Sequence, residues 1–215
     1  ATVKPLVISL CDLTGNAVRP WAEAGCECWI VDIQHASGMS NCKGGIRRIG
    51  QDVLTFSLPA DRRIAFVMAW PPCTHLAASG ARWFRGKGLD ALADSIRLVA
   101  ACARLCDESG APYLLENPIG TLSTYWRKPD YTFDPYEYAG CSSTPEQEAY
   151  TKRTCLWVGN GFVMPAPRPV VPILGSRMHR LSQSPNRANL RAATPSGFAR
   201  AVFEANRFVL STPGE

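Results

Sequence analysis

Residues 64–73, "IAFVMAWPPC", decide the fold and contain the first sign of chemistry. The apolar run is typical of a strand that is buried on both faces, as strands of parallel sheets are. Two prolines end the strand, and Cys73 follows them directly. Ligands of open α/β sheets bind beyond the carboxyl ends of the strands, so a thiol at this point is a candidate functional group.

Similar apolar runs and helical patterns lie on both sides of this strand. The other candidate core strands are residues 6–10, 28–33 and 112–118. A helix is expected to begin at Pro20 and to end at Gly25. A longer helix is expected over residues 89–109, where apolar residues recur at helical spacing before Gly110. This alternation predicts an α/β fold with a doubly wound, mostly parallel sheet.

The second half of the chain has a different character. Residues 120–193 combine prolines with short apolar runs and predict an irregular, β-rich extension. Thr194 and Pro195 are typical of a helix start, so residues 194–210 are expected to form a closing helix. A chain of 215 residues is long enough for one sizeable core, and we expect residues 1–215 to form a single domain.

Composition narrows the possible functional classes. Hydrophobic residues make up 46% of the chain and charged residues 19%, as in an ordinary soluble globular protein. No apolar run approaches the roughly 20 residues of a membrane helix, and no cleavable leader is recognisable, so we expect a cytoplasmic protein without membrane partners. The net charge of +5 comes from clustered Arg and Lys residues, which permit nucleic-acid binding but also occur on solvated surfaces.

The cysteines do not have the pattern of a disulfide framework. There are nine, an odd number, and their spacing is scattered, which predicts reduced and mostly buried thiols. Neither Cys26 with Cys28 nor Cys73 with His75 matches the C-x₂-C pairing of structural zinc sites, so no metal is expected. Zinc nucleobase deaminases need a second cysteine three residues after the first, where this chain has Leu76. No histidine stands in a recognisable cysteine-protease context.

A thiol and a carboxyl group are predicted to meet at one edge of the sheet. Cys73 follows one core strand, Glu116 ends the next, and a single helix joins the two strands. A right-handed crossover makes such strands neighbours or near neighbours. Asp12 and Asp32 follow the first two strands and are expected in the same crevice. An acid after the second strand commonly binds the hydroxyl groups of a ribose.

These residues resemble the motifs of the DNA cytosine-5 methyltransferases. The similar segments are "PPC" at 71–73, "ENP" at 116–118, "AGCECWIVDI" at 24–33 and "GQD" at 50–52. They resemble that family's Pro-Cys, Glu-Asn-Val, ribose-binding and adenine-binding motifs in order and approximate spacing, over roughly residues 6–120. The chain is most similar to short, phage-type members. The resemblance implies a Rossmann-like, S-adenosylmethionine-dependent methyltransferase, in the host cytoplasm if a phage encodes it.

The resemblance implies a covalent mechanism on carbon 5 of cytosine. The Cys73 thiolate would add to carbon 6 and so make carbon 5 nucleophilic enough to accept a methyl group. Glu116, in its protonated form, would hydrogen-bond ring nitrogen 3. Arg153 is assigned to the family's later catalytic motif, although "TKRT" at 151–154 departs from its Gln-x-Arg-x-Arg pattern.

The resemblance also assigns residues to the cofactor, S-adenosylmethionine, and to the base. Asp32 would bind the ribose hydroxyls, Ile33 would pack on the adenine and Asp52 would accept a hydrogen bond from its amino group. The other cofactor residues are Asp12, Leu13, Thr14, Gly15, Asn16 and Pro71. The substrate residues are Pro72, Ser79, Arg82, Trp83, Arg85, Asn117 and Pro118. Residues 74–88 supply glycines, cations and aromatic side chains that suit a flexible lid over an extruded base.

Two departures from the family affect the expected function. The first loop has only Gly15 to let the backbone approach a cofactor. Only residues 153–193, about 40 residues, occupy the place of a large target-recognition segment. We therefore expect a DNA substrate with little sequence preference, and a free nucleotide or a modified cofactor are variants of this hypothesis. The alternative is a catalytically silent methyltransferase-like module that binds nucleic acid or a host protein. The oligomeric state stays open.

Overall fold

The central strand of the molecule is β1 (Leu6–Leu10), whose five residues are all buried. The computed structural model describes residues 3–182 and 184–211, so both ends of the expected 1–215 domain and residue 183 lie outside the described residues. β1 pairs in parallel with β2 (Glu27–Val31) on one side and with β5 (Ile64–Ala69) on the other. Strands enclosed in this way need apolar side chains on both faces, as the sequence pattern indicated.

The described residues contain one mostly parallel sheet. Its other strands are β3 (Gly38–Met39), β4 (Ile46–Gly50), β6 (Tyr113–Pro118), β7 (Tyr131–Phe133) and β8 (Thr154–Gly159). The strand order is β3-β4-β2-β1-β5-β6-β8-β7. β3 runs antiparallel to β4, and β8 runs antiparallel to both β6 and β7. From β1 the chain builds outward first through β2 and β4 and then through β5 and β6, which confirms the predicted doubly wound sheet.

Helices cover both faces of this sheet. Those in the described residues are α1 (Arg19–Glu23), α2 (Phe84–Glu108), α3 (Leu122–Tyr125), α4 (Arg187–Ala192) and α5 (Ser196–Asn206). α2 places Cys102 and Leu105 in the core on one face. α1 and α5 place Trp21, Phe198 and Phe203 in the core on the other face. No helix in the described part of the chain has the length and apolar character that crossing a membrane requires.

The segment after Cys73 is more regular than its sequence predicted. Residues 74–88 were expected to form a flexible loop, but a 3₁₀ helix spans Ala78–Trp83 and α2 begins at Phe84. Alanine favours helical backbone, which accounts for part of this difference. Gly88 interrupts α2 with φ 78° and ψ 177°, so the expected helix start at Leu89 corresponds to a kink. The flexible loop over 78–88 is therefore corrected to two short helical segments.

Residues 120–193 are part sheet and part irregular. β7 and β8 extend the main sheet beyond β6, while most of the remaining backbone forms 3₁₀ turns and extended stretches. α5 follows Pro195, and its first N–H groups are capped by Glu148. The Glu148 carboxylate accepts hydrogen bonds from Ser196 N at 2.7 Å and from Gly197 N at 2.8 Å. An anion at a helix N-terminus is stabilising, and here it comes from a distant part of the chain.

Candidate active site

The candidate site is a crevice at the carboxyl edge of the parallel strands. It is formed by the carboxyl ends of β1, β2, β4, β5 and β6 and the residues next to them, namely residues 11–16, 32–35, 50–52, 70–73 and 116–118. The direction in which strands are added reverses between β1 and β5, and such switch points are where open α/β sheets bind ligands. The fold thus brings together the strand ends that carry the sequence motifs.

Cys73 and Glu116 come from adjacent strands. β5 and β6 are paired up to Ala69 and Leu115, so Glu116 stands one residue beyond the last pair. Asn117 ties the two strand ends together, because its Nδ2 donates a hydrogen bond to the Pro71 carbonyl at 2.8 Å. Cys73 is half-buried. Burial raises the pKa of its thiol, and the nearby Glu116 charge raises that pKa further.

The Glu116 carboxyl group lies in surroundings that favour its neutral form. Its Oε1 atom is fully buried and has no hydrogen-bond partner among the described residues. Burial raises the pKa of this carboxyl, and the positive charge of Lys152 partly offsets that effect. Oδ1 of Asn117, the next residue of β6, is also buried and unpartnered within the described chain. Unpartnered buried polar atoms are uncommon in native proteins, and a bound ligand is one way to satisfy them.

A tight turn fixes the position of the Cys73 side chain. Leu76 N and Ala77 N both donate hydrogen bonds to the Cys73 carbonyl at 2.9 Å. The turn is braced against the loop after β6, where Ala78 N donates to the Ile119 carbonyl at 2.8 Å. Ala77 and Gly120 also form an isolated antiparallel bridge. The thiol therefore sits on a supported backbone.

The residues predicted to contact the substrate divide into two groups. Asn117 is buried and Pro118 is half-buried at the end of β6, and Pro71, which was assigned to the cofactor, is buried beside them and accepts the Asn117 hydrogen bond. The exposed members are Pro72, Ser79, Arg82, Trp83 and Arg85. Trp83 is 60% exposed, and the Arg82 guanidinium lies 5.0 Å from the centre of its ring. An exposed indole paired with a cation can stack on a nucleic-acid base.

The first loop of the crevice is organised by Asp12. Asp12 Oδ1 accepts hydrogen bonds from Gly15 N at 2.8 Å and from Thr14 N at 3.1 Å, and Asp12 Oδ2 accepts from Ser9 Oγ at 2.8 Å. Burial raises the pKa of this carboxyl, and these hydrogen bonds lower it. Gly15 adopts φ 73°, in the left-handed region that favours glycine. Leu13 and Asn16 of this loop are half-buried. Asp12 thus shapes the turn that would face a cofactor.

Asp32, Ile33 and Asp52 lie at the neighbouring strand ends. Asp32 Oδ1 accepts a hydrogen bond from Gln34 N at 2.8 Å, and Asp52 Oδ1 accepts one from Leu54 N at 2.9 Å. Within the described chain, neither Oδ2 atom has a recorded hydrogen bond. The Ile33 side chain is 70% exposed, so its apolar surface is accessible from solvent. These three groups can therefore accept ligand contacts without losing internal ones.

Lys152, which the sequence reasoning did not select, acts electrostatically on both Cys73 and Glu116. Arg153 Nε lies 3.3 Å from Asp134 Oδ2, and the Arg153 side chain is half-exposed. Its charge acts on Cys155, whereas the charge of Lys152 lowers the pKa values of both Cys73 and Glu116. Side chains alternate between the two faces of a strand, so consecutive cations before β8 point to different sides. Alternation indicates that the two cations differ in their surroundings, but the register of β8 on β6 decides which of them lies on the side of Glu116.

A second unpredicted contribution comes from α4, which connects the two sides of the crevice. The Arg191 carbonyl accepts a hydrogen bond from Lys152 Nζ at 2.8 Å. Asn189 Nδ2 donates to Gln34 Oε1 at 3.3 Å, next to the end of β2. The positive charge of Arg191 also lowers the pKa of Cys73. The segment that the sequence left as an irregular extension therefore contributes to the candidate site.

Other features of the described residues lie away from this crevice. A cavity of about 630 Å³ opens at the opposite edge of the sheet, between the C-terminal end of α2 and residues 58–65. None of the motif residues lines it, so the chemistry is assigned to the crevice. Within residues 3–182 and 184–211, no three His, Cys, Asp or Glu side chains are grouped as metal ligands would be.

Comparison with known proteins gives limited similarity. One solved structure, the glycopeptide N-methyltransferase MtfA complexed with (S)-adenosyl-L-homocysteine, is 15% identical; the match covers 77% of this chain and 60% of that one, with a TM-score of 0.31. Another structure of that glycopeptide N-methyltransferase is 12% identical over 90% of this chain and 80% of its own, also with a TM-score of 0.31. No protein-family model and no curated protein matches the chain. Because such TM-scores are too low to establish a common fold, the reaction has to be inferred from the residues of the crevice.

Proposed function

We propose that the protein is an S-adenosylmethionine-dependent enzyme that methylates cytosine at carbon 5 through a covalent adduct of Cys73. The observation that supports this most is the meeting of Cys73 with Glu116 at adjacent strand ends, where Glu116 Oε1 is buried and unpartnered among the described residues. A nucleophile and a neutral acid at one crevice are what addition to a pyrimidine ring requires.

Each proposed step uses a named atom of these two side chains. The Cys73 thiol loses its proton to solvent water, and the thiolate forms a bond to carbon 6 of cytosine. The electron pair of the 5,6 double bond shifts into the ring, where the Glu116 proton meets the charge that develops at nitrogen 3. Carbon 5 would then form a bond to the electrophilic methyl group, whose bond to the cofactor's sulfur would break as the neutral thioether leaves. Loss of the carbon 5 proton to solvent water re-forms the double bond, expels the Cys73 thiolate and lets nitrogen 3 return its proton to Glu116.

The crevice beyond β1, β2 and β4 fits an adenosyl group. S-adenosylmethionine, when bound, supplies an electrophilic methyl group. The exposed Ile33 side chain offers an apolar surface for a purine, and Asp32 Oδ2 is available to ribose hydroxyls. Asp52 Oδ2 is available to an exocyclic amino group. The backbone of the Asp12 turn, with Gly15 at φ 73°, faces the same edge and would hold the methionine part.

DNA with little sequence preference is the substrate that we propose. Arg82, Trp83 and Arg85 form an exposed basic and aromatic surface beyond the Cys73 turn, which suits phosphates and unstacked bases. The net charge of +5 agrees with an anionic partner. A free cytidine nucleotide would use the same Cys73 and Glu116 chemistry but not this outer surface.

A covalent trap tests the proposed reaction. Fluorine at carbon 5 cannot leave as a proton does, so 5-fluorocytosine DNA with S-adenosylmethionine should leave a denaturant-stable adduct on the protein, detected by gel shift and mass spectrometry. Cys73→Ser should abolish the adduct, while Cys42→Ser, a change at an exposed thiol, should retain it. A parallel reaction with 5-fluorodeoxycytidine monophosphate separates a nucleotide substrate from DNA. Binding of DNA without any adduct would overturn the proposal and favour a silent binding module.

A further inference from the structure

We propose that Lys152 is the electrostatic partner of the reactive pair, with its ammonium group held by the Arg191 carbonyl so that it stabilises the Cys73 thiolate beside Glu116. The inference rests on the proposed function, because it assigns a further residue to that same site. It replaces Arg153, the residue that the family resemblance selected.

The register of the sheet brings Lys152 to this position. β8 pairs antiparallel with β6, so that Glu116 is opposite Leu156 and Pro118 is opposite Thr154. Residues opposite each other in an antiparallel pair project to the same face, and alternate residues along one strand share a face. The chain just before β8 therefore carries Lys152 to the side of Glu116 and Arg153 to the other side.

Two hydrogen bonds fix Lys152 at both ends. Its backbone N–H donates to the buried carboxylate of Asp134 at 2.7 Å, and its Nζ donates to the Arg191 carbonyl at 2.8 Å. An ammonium group has three N–H donors, so two remain for other partners. A lysine held by its backbone and its tip has lost the freedom that usually weakens surface charges. Lys152 is thus a preorganised cation at the crevice.

The charges around the thiol come from three separate elements. Cys73 is faced by Glu116 from β6, by Lys152 from the segment before β8 and by Arg191 from α4, and His75 lies on its own turn. Glu116 is faced by Lys152 and also by Tyr150 and Cys155. Burial disfavours the anionic forms of both Cys73 and Glu116, so a pocket with one fixed ammonium group favours a single negative charge. Catalysis needs that charge on sulfur while Glu116 keeps its proton.

Alkylation of Cys73 by iodoacetamide, followed by peptide mass spectrometry, tests the assignment without cofactor or DNA. The thiolate displaces iodide, so the rate at a given pH reports the thiolate fraction. Lys152→Met should slow the reaction of Cys73 about tenfold at pH 7 and move its pH profile upward, because the loss of a nearby opposite charge raises a thiol pKa by about one unit. Lys152→Arg should restore the rate, and Glu116→Gln should increase it.

Three comparisons make the result decisive. The exposed Cys42 in the same sample corrects for reagent and pH, and Cys106, which is buried, stays unreactive only while the protein is folded. Lys128→Met, at an exposed lysine, should leave the Cys73 rate unchanged. An unchanged rate in Lys152→Met, or a slower rate in Arg153→Met, would overturn the assignment. Since this reaction involves no cytosine, its outcome is independent of whether the covalent trap succeeds.

Discussion

At the scale of single residues, Glu116 shows a conflict between chemistry and stability. Its Oε1 atom is buried and unpartnered in the described chain, and burial raises the pKa of the carboxyl. A raised pKa in the folded state means that ionisation is harder there than in the unfolded chain. At low pH, where Glu116 is protonated in both states, it does not reduce the free energy of unfolding. As the pH rises above the pKa that Glu116 has in the unfolded chain, the free energy of unfolding therefore falls. A residue kept in spite of such a cost is a candidate for function.

Glu116→Gln should make the protein more stable at neutral pH while abolishing the trapped adduct. An amide of nearly the same shape removes the buried ionisable group, so we expect the free energy of unfolding at pH 7 to rise by about 1 kcal/mol. Below about pH 4 the wild-type carboxyl is neutral in both states and the difference should disappear. Urea unfolding at several pH values measures the stability difference at pH 7 and its disappearance at low pH, and the 5-fluorocytosine trap measures the adduct. Glu146→Gln, at an exposed carboxyl, is the control and should change neither curve. Equal stability of Glu116→Gln and wild type at pH 7 would contradict this account.

At the scale of elements, the loop after β5 and the loop after β6 support each other. A Cβ atom on Gly120 would lie 2.0 Å from the Leu76 carbonyl oxygen, closer than any real contact. Thr121 N donates to that same carbonyl at 2.9 Å. The glycine therefore lets the Cys73 turn approach the end of β6 closely enough to hold the thiol beside Glu116. This contact joins the loops that follow two separate motifs, and neither motif alone indicates it.

Gly120→Ala should displace the Cys73 turn. The new methyl group meets backbone, which cannot move aside as a side chain can, so we expect a loss of about 2 kcal/mol in stability and a slower reaction of Cys73 with iodoacetamide. Thermal unfolding and the alkylation rate measure the two effects. Gly86→Ala is the matched control, because its Cβ would meet nothing within 4 Å. Identical behaviour of the two variants would show that the two loops do not depend on each other.

At the scale of the whole molecule, α5 ties the second half of the chain to the sheet. The Phe198 ring is fully buried and stacks on Phe133 of β7 with 3.9 Å between ring centres. It also meets the edge of the Tyr138 ring at 5.3 Å. The same helix is capped by Glu148, from the segment between β7 and β8. The residues that follow β6 are therefore integrated into the core on one face of the sheet.

Phe198→Ala should destabilise the fold by about 3–5 kcal/mol, the usual cost of removing a buried aromatic side chain. Phe208→Ala should cost less than about 1 kcal/mol, since the Phe208 side chain is 49% exposed. Chemical denaturation of both variants measures the difference. Similar losses in the two variants would mean that the packing of α5 on β7 contributes little to the stability of the molecule.

The local sequence predicted those features that depend on residues close together in the chain. The apolar runs identified β1, β2, β5 and β6, because strands covered on both faces need apolar side chains throughout. The helical spacing of apolar residues identified most of α2, and Gly88 marked its kink. The order of strands and helices predicted the doubly wound sheet. That sheet in turn predicted that Cys73 and Glu116 lie at adjacent strand ends.

Contacts between distant segments were beyond the reach of the sequence patterns. α4 was missed because its six residues show too short a pattern to indicate a helix. Lys152 and Arg153 look equivalent as neighbouring cations, and their different environments arise from the register of β8 on β6.

The sequence by itself determined the sheet, the strand ends and the identity of the thiol and the carboxyl group, since each is a property of a short stretch of chain. Only the tertiary structure decided which cation joins them. The physical reason is that a charge acts through space. Lys152 influences Cys73 and Glu116 because β8 lies beside β6 and because the Arg191 carbonyl of α4 accepts a hydrogen bond from its ammonium group. No pattern within residues 150–155 indicates either of these contacts.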